Sequence, residues 1–200
     1  MVKAASFQIE YTRFLDPSGQ EAQPLPSFAE DPAILISLYL SMALTRTFDA
    51  GCKAAPDLNV WCDGKEMSHR LLDKIDLGIA VNTKDGLFVP VLRDVGSRDA
   101  ADLLEGLERL KADVKARTVP AGELRGQTIT LSNFGSLAGR YSAMIVVPPQ
   151  VAILGAGRIM DTVRAVKGKP QVRRALPLSL TFDHRAVTGG EAAQFLAAAI

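Results

Sequence analysis

Histidine and cysteine are scarce in this 200-residue sequence, which contains only two of each. Cys52 and Cys62 are too few for a disulfide scaffold and are typical of a reduced chain, with one chance disulfide as the less favoured alternative. No Cys/His cluster has the spacing of metal ligands, so we expect no metal site. A catalytic histidine is therefore to be sought only at His69 or His184.

A bias of charge and long apolar runs are also lacking. Lysine and arginine total 23 against 22 aspartate and glutamate, a net charge of +1, which gives no electrostatic footprint for nucleic acid or an anionic membrane. The longest apolar runs, such as 144–147 and 151–154, have the length of strands and not of membrane spans. The first six residues do not form a signal peptide. We therefore expect a cytoplasmic protein.

The composition that is present is that of a folded domain. Hydrophobic residues make up 48% and charged residues 22%, close to ordinary globular proteins. Two hundred residues suit one domain with a full core, so we expect a single domain over residues 1–200.

The hydrophobic pattern predicts alternating strands and helices. Residues 6–12 alternate like a strand, 17–32 are a proline-rich loop, and Asp31-Pro32 opens a buried helix reaching Leu44. A second helix is predicted with Ser97 as its cap and Leu103, Leu107, Leu110 and Val114 at helical spacing. A final helix begins near Gly190. The predicted strands are Leu77–Val81, Leu87–Val91, Thr128–Ser132, Met144–Val147, Val151–Leu154 and Leu176–Phe182. This order predicts an α/β (α+β) domain, a two-layer sandwich with a mixed sheet.

Five segments carry a resemblance to a known family. They are PDLN (56–59), DLGIAV (76–81) followed by GLFVPV (86–91), TITLSNFG (128–135), PPQVAILG (148–155), and SLTFDHR (179–185) with Gly189 after it. In this order they resemble the acyltransferase (E2) catalytic domains of 2-oxoacid dehydrogenase complexes, and their relative chloramphenicol acetyltransferase. A single such motif would be weak, but five in sequence over roughly residues 35–200 are specific.

The resemblance implies the chloramphenicol acetyltransferase-like fold of CoA-dependent acyltransferases and a homotrimer with active sites between subunits. The implied reaction moves an acyl group between a dihydrolipoamide thiol and coenzyme A, which enter from opposite ends. His184 matches the family's general base, a role that suits the near-neutral pKa of histidine. Ser132 matches the hydroxyl that stabilises the oxyanion. The lipoyl group would come from another domain or chain, with E1 and E3 components as further partners.

Thr188 departs from the family pattern, which has aspartate four residues after the histidine. In the family that carboxylate pairs with a buried arginine and shapes the histidine loop. An unpaired buried arginine would be costly in free energy. We therefore expect that the arginine partner is also replaced in this chain and that Thr188 makes a neutral hydrogen bond. Asp183 and Arg185 flank the histidine and are expected to orient the segment through hydrogen bonds or an ion pair.

Other interpretations of these residues stay open. The acyl acceptor is alternatively the phosphopantetheine thiol of a carrier protein, or the chain is a catalytically weakened trimeric scaffold. His69 lies in a polar stretch and is expected at the surface, and Cys52 and Cys62 are expected to be incidental thiols. Because the sequence ends within the last helix, we expect a trimer and no larger core.

Overall fold

The computed structural model describes residues 47–135, 137 and 139–200. All of them belong to one compact unit, Leu40–Ile200. The strand predicted at residues 6–12 and the helix predicted from Asp31 to Leu44 lie outside the described residues.

The described part of the chain contains ten strands and three helices. The strands are β1 (Val60–Asp63), β2 (Ser68–Leu71), β3 (Leu77–Thr83), β4 (Gly86–Phe88), β5 (Val91–Leu92), β6 (Ile129–Asn133), β7 (Ala152–Ala156), β8 (Met160–Val166), β9 (Lys169–Ala175) and β10 (Leu178–Phe182). The helices are α1 (residues 47–54), α2 (Ala100–Ala116) and α3 (Gly189–Ala199). Two short 3-10 turns occur at Pro56–Leu58 and Ala121–Leu124.

A six-stranded mixed sheet forms the centre, in the order β10-β7-β6-β3-β4, with β5 also paired to β3. Strands β3, β6 and β7 are parallel, whereas β10 runs antiparallel to β7. The central strands bury Leu77, Ile129 and Leu154. Helix α2 packs against β3 and β5, and α3 packs against β10. The prediction of a mixed sheet with a helical layer is therefore confirmed.

The strand predicted at Leu87–Val91 is divided at its proline. Pro90 has no amide donor, so it cannot contribute an N–H to a continuous ladder. Its carbonyl still accepts a hydrogen bond from the Ile79 amide at 2.9 Å. The chain pairs with β3 on both sides of this interruption, as β4 and as β5.

Helix α2 begins two residues later than predicted. Asp99, and not Ser97, is the N-cap, since its carboxylate accepts the Asp102 amide. The Ser97 hydroxyl instead donates to the Asp94 carbonyl. Aspartate at this position also favours the positive end of the helix dipole. The predicted apolar face is confirmed, because Leu103, Leu110 and Val114 are buried.

The strand predicted at Met144–Val147 is wrong. Residues 141–147 make no sheet ladder, and their amides at Ser142 and Met144 donate to the hydroxyls of Ser179 and Thr181, both at 3.3 Å. The pattern of alternating exposure is strand-like, but Pro148 and Pro149 follow at once and lack amide donors.

Two hairpins were not predicted from the sequence. Strands β1 and β2 form one, and β8 and β9 form the other, each as a separate two-stranded sheet. All four residues of β2 are exposed, and six of the seven in β9 are exposed. Such strands lack the one-sided apolar pattern on which strand prediction depends.

Candidate active site

His184 lies in a turn immediately after β10. The carbonyl of Asp183 accepts the amides of Ala186 and Val187, both at 3.0 Å, and the Asp183 amide donates to the Val151 carbonyl at 2.8 Å. The His184 ring is exposed and rests beside Phe182, with 5.6 Å between ring centroids. Val187, fully buried, anchors the far end of the turn. The imidazole is thus presented to solvent by a firmly held backbone.

The residues flanking His184 form a short-range ion pair, as predicted. Arg185 reaches back to Asp183 with its Nε at 3.0 Å from Oδ1 and its Nη2 at 2.6 Å from Oδ2, and its amide also donates to Oδ1 at 3.0 Å. These hydrogen bonds lower the pKa of Asp183 to about 2. A carboxylate with this many donors stays ionised and fixes the turn from both sides.

Thr188 is the N-cap of α3 and belongs to a capping box with Glu191. The Thr188 amide donates to Glu191 Oε2 at 2.7 Å and its hydroxyl donates to the same oxygen at 2.8 Å, while the Glu191 amide donates to Thr188 Oγ1. The expected neutral hydrogen bond is therefore wrong in detail, because its partner is a carboxylate. The Thr188 donors lower the pKa of Glu191. Among the described residues, Thr188 has no hydrogen bond with an arginine, and its side chain bonds to Glu191.

Glu191 is the residue that sequence reasoning missed here. The pattern Thr188-x-x-Glu191 is the signature of a capping box and was the signal that would have found it. Helix α3 is also held by its own Phe195, whose ring packs edge-on against Phe48 of α1 with centroids 6.3 Å apart. The His184 turn is consequently braced by a capped and packed helix.

Ser132 lies near the end of β6, in the middle of the sheet. Its cross-strand partners are Ala80 of β3 and Gly155 of β7, and both are small. A side chain at Gly155 would collide with Met144 and Phe134. Those two residues thus close over the strand next to Ser132.

The loop after Ser132 depends on close approach between backbones. Asn133 accepts the Gly135 amide at 3.3 Å through its side chain, as in an Asx turn. A Cβ at Gly135 would collide with the backbone of Gly157 and Arg158, and a Cβ at Gly157 would collide with the carbonyl of Arg140. Glycine is therefore required at both positions.

His184 and Ser132 of one chain lie at opposite ends of the sheet. Ser132 is level with Gly155, and Gly155 is level with Ser179 of β10. From Ser179, β10 leads away from Ser132 to His184. At about 3.3 Å per residue, the advance from Ser179 to Phe182 alone amounts to roughly 10 Å, and His184 lies two residues further on, beyond hydrogen-bond reach of Ser132. The two predicted catalytic residues are not brought together within one chain.

An open groove of about 760 Å³ lies between the β1–β2 hairpin and Pro148-Pro149, and Arg185 is part of its lining. His69 is exposed, as predicted, and is among its lining residues, which are Trp61, Cys62, Asp63, Gly64, Lys65, Ser68, His69, Arg70, Pro148, Pro149 and Arg185. Neither Ser132 nor His184 is in this lining. The groove is thus separate from the predicted catalytic pair.

The remaining candidate groups have ordinary roles. Burial raises the pKa of the Cys52 thiol to about 12, so it remains a protonated core residue. Within residues 47–135, 137 and 139–200, no three side chains of the metal-binding types are gathered as a site. Over the same residues, no helix has the length and apolar character to cross a membrane.

Comparison with protein families gives a match over residues 29–200 to the model described as 2-oxoacid dehydrogenases acyltransferase (catalytic domain). The lipoamide acyltransferase component of the branched-chain alpha-keto acid dehydrogenase complex of Pseudomonas aeruginosa is 36% identical over 161 residues, which are 80% of this chain and 38% of that protein. The acetyltransferase component of the pyruvate dehydrogenase complex of Mycobacterium tuberculosis is 33% identical over 96% of this chain and 36% of its own length. The chain spans about two fifths of the length of such relatives.

Solved structures give a consistent result. The cubic core of a pyruvate dehydrogenase multienzyme complex superposes with a TM-score of 0.75 at 29% identity, over 80% of this chain and 65% of that one. The dihydrolipoamide acetyltransferase of Azotobacter vinelandii, studied for the role of a serine, a histidine and an asparagine in its mechanism, gives the same values. Chloramphenicol acetyltransferase matches at a TM-score of 0.51 and 15% identity, over 80% of this chain and 75% of that one, which shows the shared fold.

Proposed function

Because the chain belongs to the family of 2-oxoacid dehydrogenase acyltransferase catalytic domains, we propose that it moves an acyl group between a dihydrolipoamide thiol and coenzyme A. The observation that carries the proposal is an interval in the sequence. The serine and histidine studied in the Azotobacter vinelandii enzyme are separated by the same number of residues as Ser132 and His184. Its asparagine follows the histidine at the interval at which Thr188 follows His184.

His184 is proposed as the general base. The attacking thiol gives its proton to the imidazole while its sulfur forms a bond to the thioester carbonyl carbon. As the tetrahedral intermediate collapses, the old carbon–sulfur bond breaks and the imidazolium returns the proton to the departing thiolate. The exposed ring and the firmly bonded turn support this role, since a base must be accessible and positioned.

Ser132 is proposed to donate a hydrogen bond to the oxyanion of the intermediate. A donor aimed at developing negative charge is typically worth ~2.7–4 kcal/mol. Because His184 and Ser132 of one chain lie at opposite ends of the sheet, the histidine of one copy must meet the serine of another. The separation supports an active site shared by two copies, and the homotrimer is what the family implies.

Thr188 is proposed as a positioning residue. It caps α3 directly behind the His184 turn and is held there by its hydrogen bonds to Glu191. Removing the cap would loosen the turn without removing any group that touches substrate.

The wider setting follows from the same family. We propose one catalytic domain, with the lipoyl group supplied by another domain or chain and with E1 and E3 components as partners of the assembly. A cytoplasmic location stays a prediction from the sequence.

The test is an acyl-transfer assay with free dihydrolipoamide and, in turn, acetyl-, succinyl- and isobutyryl-CoA. We expect new thioester and released coenzyme A with at least one donor, and little of either with His184→Ala. Transfer only to a phosphopantetheine carrier thiol would replace the proposed acceptor. An intact trimer without transfer to any thiol would leave the scaffold hypothesis and end the proposal.

A further inference from the structure

The β8–β9 hairpin projects from the domain without joining the central sheet. Its strands are joined by Lys167 and Gly168, both with positive φ (50° and 76°), which is the two-residue turn suited to a twisted ribbon. Most of its side chains are exposed. A ribbon of two strands is marginally stable by itself in water, so a partner surface would stabilise this arm.

The hairpin and its entry carry an unusual concentration of positive charge. Residues 158–174 include one acid, Asp161, and six cations: Arg158, Arg164, Lys167, Lys169, Arg173 and Arg174. The whole chain has a net charge of only +1. None of the six cations forms a salt bridge with a described residue. Among the described residues, the charge of the hairpin is therefore not neutralised by ion pairs.

The register sorts the side chains onto two faces. Thr162 pairs with Arg173, and Arg164 pairs with Gln171, so both arginines lie on one face. Val163 pairs with Val172 on the other face, where the two valines are 70% and 66% exposed. One ribbon thus presents a basic face, while the opposite face carries the exposed valines beside the Asp161–Arg174 pair.

The arm leaves the domain at the Ser132 end of the sheet. Strand β8 follows β7 and β9 precedes β10, so the hairpin begins and ends beside the Ala156–Leu178 pair. Ala156 also pairs with Asn133 of β6, the residue that follows Ser132. The entry to the arm packs on the loop after Ser132, where Gly157 meets Gly135 and Arg158 Nε donates to the Gly135 carbonyl at 3.4 Å. A partner held by the arm would stand beside the proposed oxyanion donor.

We infer that the β8–β9 hairpin is the docking arm for an acidic protein domain that brings the lipoyl thiol to the active site. This inference rests on the proposed function. Complementary charge steers such an encounter and speeds association. The hairpin of a second copy is a poor occupant of the basic face, because like charges would oppose each other. Nucleic acid is also disfavoured, since the arm offers exposed valines and no aromatic side chain for stacking.

The test compares two acceptors for the same acyl-CoA: free dihydrolipoamide and a dihydrolipoyl domain with an acidic surface. The variant Arg164→Glu/Arg173→Glu reverses the basic face. We expect its KM for the domain to rise about 10-fold or more, with kcat and the KM for free dihydrolipoamide unchanged, because the charges act on encounter and not on chemistry. The wild-type KM for the domain should rise with salt, and the variant should lose most of that dependence.

Two further variants make the result specific. Arg164→Gln/Arg173→Gln should fall between wild type and the charge reversal. Lys111→Glu/Lys115→Glu makes the same change of charge on α2 and should leave the KM for the domain unaltered. Equal KM values in the hairpin and α2 variants would overturn the docking arm. So would an equal loss with free dihydrolipoamide, which would make the arm part of the site or assembly. Absence of transfer by wild type to either acceptor would instead defeat the proposed function.

Discussion

At the scale of single residues, the two histidines provide a matched pair. We expect His184→Ala to lower acyl-transfer kcat by about 100-fold or more, the usual effect of removing a general base. His69→Ala, a change at an exposed residue of β2, should retain wild-type kcat. Steady-state assays on both variants, with circular dichroism to verify the fold, make the comparison. Undiminished turnover in a folded His184→Ala protein would eliminate this histidine as the base.

Asp183 predicts a particular dependence of stability on pH. Its pKa is lowered from 3.8 to about 2 by the Arg185 guanidinium and amide. A depressed native pKa stabilises the fold above the unfolded pKa, and this contribution is lost as pH falls from about 4 towards 2. We expect Asp183→Asn to have a lower free energy of unfolding than wild type at pH 7.

The same difference should shrink below pH 4, because the carboxylate of the unfolded wild-type chain then protonates while that of the native chain stays ionised until about pH 2. Urea titrations at pH 7, 4 and 3 measure it. Asp73→Asn, at an exposed acid, serves as the control and should match wild type at all three values. A constant deficit for Asp183→Asn across this range would mean that the ion pair does not stabilise the turn.

At the scale of elements, the sequence predicted what has a clear apolar pattern. Leu103–Val114 repeats with the period of a helix and Leu77–Val81 is a continuous apolar run of strand length, and both were placed correctly. The β8–β9 hairpin escaped because its exposure on both faces erases that period. The apolar run at Met144–Val147 gave the opposite error, a strand predicted where none forms. The amides of Ser142 and Met144 donate to the hydroxyls of Ser179 and Thr181 and not to a strand backbone.

The candidate site likewise has features that local sequence motifs predict and features that they do not. His184 and Ser132 were identified from local motifs, and the structure places each at a strand end. Glu191 was missed although its capping signature, Thr188-x-x-Glu191, is local. That Ser132 and His184 stand at opposite ends follows from strand order and direction. Pairings between strands distant in sequence leave no mark on a local pattern.

Gly135 links the Ser132 loop to the base of the hairpin, and its substitution should disturb both. Gly135→Ala places a methyl group against the Gly157 backbone, which cannot move aside like a side chain. We expect a loss of stability of about 1–3 kcal/mol and a lower kcat. Gly122→Ala adds the same methyl group where nothing lies within 4 Å and should leave both quantities near wild type.

Thermal unfolding and transfer assays on the two glycine variants decide the matter. A Gly135→Ala protein as stable and as active as Gly122→Ala would show that the close backbone contact is dispensable.

At the scale of the whole molecule, a site shared between copies predicts complementation. His184→Ala and Ser132→Ala trimers should each be nearly inactive. When the two chains are co-expressed in equal amounts and assort at random, about a quarter of the sites receive an intact histidine and an intact serine. We therefore expect about a quarter of wild-type kcat, measured after light scattering shows a mass of three times 21.4 kDa.

Every chain of either single variant lacks the histidine or the serine side chain. If the site lay within one chain, mixing the two variants could not restore it. Mixed trimers as inactive as their parents would contradict the shared site. A double variant carrying both alanines, mixed with wild type, is the control that shows the assortment of chains.

The sheet that separates Ser132 from His184 also has a consequence for a single chain. On the proposed roles, a newly made or dissociated chain carries the base at one end and the oxyanion donor at the other, and the hydrogen-bonded strands hold them apart. A single chain then lacks a complete site. We therefore expect activity to appear only with assembly and to fall on dilution below the concentration at which the copies dissociate.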